Sequence, residues 1–191
     1  MQWKKEREQI VRAAKKIYRK GLVTGYSGNI STRLNEKLIA ITPKSKSYSK
    51  LKASDIVIID FDGNLVEGSN EPSSERMLHI EIYKNRKDVN AIIHTHSTFA
   101  CTIAALNFSL PLILDEQIEI LGGEIGVTKY APSGTKELAE ETVKTLAQKK
   151  AVLLSKHGAV GVGSTIEEAF LVCELLEKLC KIYVFMRSIG Q

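Results

Sequence analysis

Apolar positions alternate with polar ones along this chain in two rhythms, one helical and one strand-like, and the rhythms change at short polar breaks. Over residues 3–20, Trp3, Ile10, Val11, Ala14, Ile17 and Tyr18 recur at helical spacing, and Gly21 closes the run. Gly25, Tyr26, Ser27, Gly28 and Asn29 read as a loop. Ile30–Arg33 and Leu38–Thr42 read as short strands, and residues 43–55 as a polar excursion. Ile56–Asp60 and Leu65–Glu67 flank Asp62-Gly63-Asn64, a hairpin turn signal.

The second half continues in the same way. A helix is predicted from Ser73, with Met77, Leu78, Ile80, Ile82 and Tyr83 on its apolar side. Ala91–Thr95 reads as a buried strand, followed by a helix from Ser97 to about Leu106; residues 112–122 fit neither rhythm. Further predictions are a helix over 135–149, a fully apolar strand over 151–154 and a short strand over 159–162. Thr165 and Glu168 form a capping-box pattern at the start of a last helix, whose stripe includes Ala169, Val172, Cys173, Leu176, Leu179, Cys180 and Tyr183. Interspersed helices and strands, several at hairpin distance, predict an α/β fold: a mixed sheet covered by helices.

With 191 residues and no repeat, linker or low-complexity tract, residues 1–191 are expected to form a single domain. A hydrophobic content of 43% beside 26% charged residues is that of a globular chain and argues against disorder. No apolar run is long enough for a membrane span, and the charged start at Met1–Glu6 is unlike a secretory leader, so a cytoplasmic location is expected. The three cysteines, Cys101, Cys173 and Cys180, share no ligand spacing and read as core residues in a reducing compartment. A net charge of +5 is modest, and the cluster Lys44, Lys46, Lys50, Lys52 lacks interleaved aromatics. Nucleic acid is therefore not an expected partner, whereas a small anionic substrate is compatible with the charge.

Candidate chemistry concentrates at strand ends. His94 and His96 lie two apart at the end of Ala91–Thr95, so both face the same way, roughly 6.5 Å apart at the backbone. Alone, the pair reads equally as two buried strand-end histidines. His157, also where a buried strand enters a loop, completes a set of three imidazoles, the catalytic zinc pattern with an open fourth position. The remaining histidine, His79, follows Glu75 by one helical turn; that spacing suits a metal, although hydrogen bonding is the plainer role. Ser73 and Ser74 stand at a predicted helix start, where free amides attract anions, and plain capping would explain one of them. The glycines at 158, 161 and 163 match no phosphate-binding template.

These pieces in order resemble the class II aldolase/adducin family, specifically its L-fuculose-1-phosphate aldolase branch. The resemblance is carried by Ser27-Gly28-Asn29-Ile30-Ser31, Ile41-Thr42-Pro43, Pro72-Ser73-Ser74-Glu75 with His79, His94-Thr95-His96, Tyr130 with Gly134-Thr135, and His157-Gly158. It implies a three-layer α/β/α fold around a mixed, largely antiparallel sheet, and a homotetramer with its site at a subunit boundary. It implies one Zn2+ per subunit on His94, His96 and His157, with Glu75 as the resting-state ligand and then the acid/base. Asn29, Ser73 and Ser74 match phosphate contacts, and Gly28 a backbone contact. Lys44 and Ser45 stand where the family usually has Thr or Ser followed by Gly, which keeps phosphate donors and adds a charge.

The implied activity is reversible cleavage of a phosphorylated sugar, a ketose 1-phosphate, to dihydroxyacetone phosphate and a short aldehyde. The branch's tyrosine in the segment matching 112–122 is absent, and Glu116 and Glu119 are the candidates for the missing acid. The branch's second tyrosine, on a C-terminal tail, has no counterpart before Gln191. Within the same family, a methylthioribulose-1-phosphate dehydratase shares the three histidines and the glutamate. A sugar-phosphate 4-epimerase usually carries aspartate in place of Glu75, and a non-catalytic adducin-like domain typically lacks the histidines.

Overall fold

The structure is a computed structural model that describes residues 2–190. Met1 and Gln191, which the leader and tail readings touch, lie outside the described residues. Seven strands form one sheet: β1 (Asn29–Arg33), β2 (Leu38–Ile41), β3 (Val57–Asp60), β4 (Leu65–Glu67), β5 (Ala91–Thr95), β6 (Ala151–Leu154) and β7 (Gly158–Gly163), in the order β4-β3-β2-β1-β5-β7-β6. All neighbouring strands pair antiparallel. The parallel component of the expected mixed sheet is one bridge, from Val127, outside the named strands, to Leu153 of β6.

Strand side chains alternate between faces, and each face is buried by its own helices. Ile30, Ala40, Ile58 and Ile93 pack beneath α1 (Lys4–Arg19) and the start of α5 (Ile166–Ser188). Ala151, Leu153 and Ala159, farther along that face, meet α5 and α3 (Thr98–Ala105). Ile39, Ile41, Val57, Ile59, Ile92, Val152 and Val160 point the other way, under α2 (Arg76–Asn85) and α4 (Lys136–Leu146). The result is the expected three layers. Cys173 and Cys180 lie in the core, as free thiols. Glycine in β7 lets α5 come close: a Cβ on Gly161 would lie 2.6 Å from Cys173 Sγ.

Element boundaries differ from the sequence reading where side chains are drawn elsewhere. The second helix starts three residues later than expected, at Arg76, with Glu75 and not Ser73 at its N-cap. Pro72 is bridged to Pro43, Ser73 Oγ accepts from the Glu75 amide at 3.3 Å, and the Glu75 side chain turns inward. The last helix runs on to Ser188. Its cap departs from a reciprocal box, because Glu168 reaches the amide and hydroxyl of Ser164. Residues 112–122 hold a single π turn, Gln117–Leu121. The fully buried Gln117 side chain staples it, donating to the carbonyls of Pro111 and Gly123 and accepting from the Ile113 amide.

Candidate active site and metal centre

Three parts of the sheet meet at one end of its central strands. His94 sits in β5, opposite Asn29 of β1 on one side and Val160 of β7 on the other. It shares the face of Ile92, toward α2. His96 continues that parity just past the strand end, and His157 stands in the turn joining β6 to β7. The rings pack nearly edge to face, with centroids 4.7, 4.8 and 4.9 Å apart.

Their Nε2 atoms converge. His94 and His96 Nε2 are 2.8 Å apart, His94 Nε2 is 3.2 Å from Glu75 Oε2, and His157 Nε2 is 3.5 Å from Glu75 Oε1. All four ligand atoms lie within 4.8 Å of one another. His94 Nδ1 donates to the Ala159 carbonyl at 3.0 Å, which leaves its Nε2 lone pair directed at the cluster. Three imidazole nitrogens crowded against each other and a carboxylate repel unless a cation or protons lie among them. The donor set therefore fits a divalent metal of the borderline kind, with three nitrogens and one oxygen. The predicted ligands His94, His96, His157 and Glu75 are brought together.

Electrostatics reflects the same crowding. Burial disfavours charge on Glu75, but His94, His157 and the Asn29 amide outweigh it and hold the carboxyl far below the usual range. Burial likewise opposes charge on His94, and its Glu75 partner reverses the balance and raises it. Burial and the neighbouring His94 push His96 down to about 3 and His157 to about 4. Neutral imidazoles are the form that ligates.

A pocket of about 230 Å³ opens beside this cluster, lined by Gly28, Asn29, Lys44, Ser45, Ser73 and Ser74, with Glu75, His96 and His157 at one end. The Lys44 amide pairs with the Glu71 carbonyl and the Ser73 amide with the Thr42 carbonyl, which brings the two loops side by side. Gly28 has φ +77, and a Cβ on it would lie 2.6 Å from the His94 carbonyl, so the loop can pass only as glycine. Ser45 adopts φ 56, the left-handed conformation that glycine would take more readily. Lys44 is exposed, with Nζ 3.1 Å from Glu71.

Ser133 escaped the sequence reading. Its hydroxyl donates to Glu75 Oε1 at 3.1 Å and lines the pocket; its only signal was its place directly before Gly134. Glu116 and Glu119 do not line the pocket within one chain: Glu116 pairs with Lys178 on α5 at 2.5 Å, and Glu119 is exposed. Tyr130 is exposed beside Lys156, and Thr135 caps α4. Lys46, of the basic cluster, is paired with Asp55.

A triad of imidazoles with a carboxylate against it, beside a hydroxyl-lined pocket on a three-layer antiparallel fold, is the arrangement of an enzyme site that could hold a metal ion. Residues 8–184 match the family described as Class II Aldolase and Adducin N-terminal domain, and the chain belongs to that family. It is an enzyme of the family's aldolase class. A 5-deoxy-D-ribulose 1-phosphate aldolase of Bacillus thuringiensis is 40% identical over 188 residues, covering 98% of this chain and 88% of the relative. An L-fuculose phosphate aldolase of Methanocaldococcus jannaschii is 35% identical, covering 93% of this chain and 94% of the relative. Among solved structures, an L-fuculose 1-phosphate aldolase superposes with a TM-score of 0.93 at 36% identity, covering 98% of this chain and 88% of that one.

Proposed function

We propose that the protein catalyses reversible, zinc-dependent cleavage of a short ketose 1-phosphate, of the fuculose or 5-deoxypentulose kind, to dihydroxyacetone phosphate and a short aldehyde. The observation that carries this reading is the position of Glu75: its carboxylate touches the three-histidine cluster and also lines the hydroxyl-rich pocket. The similarity to aldolases named for fuculose phosphate and 5-deoxy-ribulose 1-phosphate supports the substrate class.

Bound at His94, His96 and His157, zinc would act as a Lewis acid on the substrate's carbonyl and adjacent hydroxyl oxygens. Lys44, Ser45, Ser73, Ser74, the Gly28 backbone and Asn29 hold the phosphate, so that the reacting carbons stay beside Glu75. In the cleavage direction the bond between C3 and C4 breaks, its electron pair remains on the three-carbon fragment, and Glu75 delivers a proton to C3. In synthesis Glu75 removes that proton, a transfer typically worth 10²–10⁴-fold. Ser133 and Asn29 each hold one of its oxygens, which orients the carboxylate for this exchange. The reading includes a cytoplasmic homotetramer, in which Glu116 or Glu119 of a neighbouring copy exchanges the C4 hydroxyl proton.

The test is proton exchange from dihydroxyacetone phosphate, followed by NMR in deuterated water with zinc-loaded protein. Glu75→Gln is expected to keep zinc bound and to lose exchange by at least about 10²-fold. Exchange at the wild-type rate would remove Glu75 from its role. Loss of water from a ketose 1-phosphate without carbon–carbon cleavage would replace the aldolase reading with a dehydratase.

A further inference from the structure

Behind the Glu75 carboxylate, a row of polar side chains runs into the core between β1 and α2. Glu75, His79 and Tyr83 follow one another at four-residue intervals, along one stripe of α2 and its cap. Asn29 and Ser31, two apart, share a face of β1. The two sets interleave. Asn29 Nδ2 donates to Glu75 Oε2 at 2.8 Å, and His79 Nε2 meets Asn29 Oδ1. Ser31 Oγ lies 2.6 Å from His79 Nδ1 and 2.8 Å from the Tyr83 hydroxyl. Ser31, His79 and Tyr83 are fully buried.

Each link admits one assignment consistent with the next. A carboxylate only accepts, so the amide nitrogen of Asn29 faces Glu75 and its oxygen faces His79. That oxygen accepts too, so His79 carries its proton on Nε2. Its Nδ1 is then bare and accepts a hydrogen bond from the Ser31 hydroxyl, whose oxygen accepts from the Tyr83 hydroxyl. Every donor in the row is directed toward Glu75. Burial keeps His79 neutral, pushed down to about 3, so it donates from one nitrogen alone. The far end is anchored by Arg33, whose guanidinium donates to the Tyr83 carbonyl at 2.7 Å and the Arg86 carbonyl at 3.1 Å.

We infer that His79 is a positioning residue for the Glu75 carboxylate, acting through Asn29. From Nε2 it locks the Asn29 amide in the single orientation that donates to Glu75 Oε2, while Ser31 and Tyr83 fix the tautomer of His79. Without the lock the amide can rotate and present its oxygen to the carboxylate, which repels it. The same lock leaves the second N–H of Asn29 for an anion in the pocket, so the orientation of one amide serves both the carboxylate and the phosphate. This inference rests on the proton-transfer role of Glu75 proposed above. It gives the fourth histidine a task distinct from metal ligation.

Two measurements test it. In protein labelled with ¹⁵N-histidine, at neutral pH, His79 is expected as the Nε2–H tautomer, its signals assigned by their loss in His79→Gln. An Nδ1–H tautomer or an imidazolium overturns the row, whatever the activity. In zinc-loaded protein, His79→Met is expected to slow proton exchange from dihydroxyacetone phosphate about 10–100-fold. Its zinc content should stay at the wild-type level, and its affinity for dihydroxyacetone phosphate should fall less than exchange does, because Asn29 is one phosphate contact among several. His79→Gln, whose amide can still donate to Asn29, should recover most of the exchange. Unchanged exchange in His79→Met overturns the inference, as does loss of binding and exchange together with no recovery in His79→Gln. Failure of Glu75→Gln to stop exchange would instead overturn the proposed function, and the tautomer would still report on His79.

Discussion

Single atoms decide the site. Gly158 follows His157 and faces the carbonyl of Thr95: a Cβ there would lie 2.4 Å from that oxygen, 3.1 Å from His94 Cε1 and 3.3 Å from His96 Cδ2. Two of its three near neighbours are rings of the histidine cluster, so the absence of a side chain is what lets the turn of His157 close over the other two histidines. Backbone cannot yield as a flexible side chain can, and overpacking of this kind costs about 1–3 kcal/mol. Gly158→Ala is therefore expected to lower the denaturation midpoint and to weaken zinc binding by at least about tenfold, since the rings must part. Competition with a chromophoric chelator reads the second effect, and wild-type affinity would show that the turn has slack. Ser45 shows the converse: a residue other than glycine accepts a left-handed conformation because the loop it occupies is exposed and hydrogen-bonded to its neighbour.

Helix ends show how local chemistry is redirected by neighbours. The N-terminus of α3 is capped from another element: Glu177 on α5 accepts from the Ser97 hydroxyl at 2.6 Å and from the amides of Phe99 and Ala100. That contact fixes the chain one residue beyond His96. At the start of α5, Glu168 accepts from Ser164 and from Lys150 Nζ at 2.5 Å, and these contacts push its carboxyl down to about 2. A depressed carboxyl contributes stability above its unfolded value near 4.3, and that contribution is lost as the pH falls toward 2. The pair is partly exposed and screened, so the contribution is about 1 kcal/mol rather than the full shift. Urea unfolding of Glu168→Gln should show this deficit at pH 7 and converge on wild type only as the pH falls to about 2 and below. A deficit that persists at low pH would assign the effect to packing.

For the whole molecule, the cluster is a debt that a cation relieves. Four groups from α2's cap, β5 and the residue just past its end, and the β6–β7 turn are gathered from positions 75, 94, 96 and 157, and their mutual repulsion is removed when a metal occupies the centre. A metal present at 100 times its dissociation constant stabilises by about 2.7 kcal/mol. For a chain of this size that corresponds to about 5–10 °C in Tm. Chelation should lower the melting temperature by that amount, and zinc should restore it. His157→Ala should melt at one temperature with or without chelator. A chelator-insensitive wild type would argue that these residues hold no metal. Among the described residues no helix is long and apolar enough to cross a membrane.

What the amino-acid order determined by itself was periodicity and chemistry. The apolar run that opens 91–95 and the helical stripe after Thr165 are set by adjacent residues, so the strand, the helix and the common facing of His94 and His96 were legible without a fold. The ordered motifs made the family legible as well. The tertiary structure alone decided distances between segments. That Ser133 reaches Glu75, and that His79 reaches it only through Asn29, depends on loops and strands far apart in the chain meeting across the sheet. The start of α2 at Arg76 was likewise decided by where Glu75 had to point, toward three rings supplied from elsewhere, and local helix propensity carries no record of that pull.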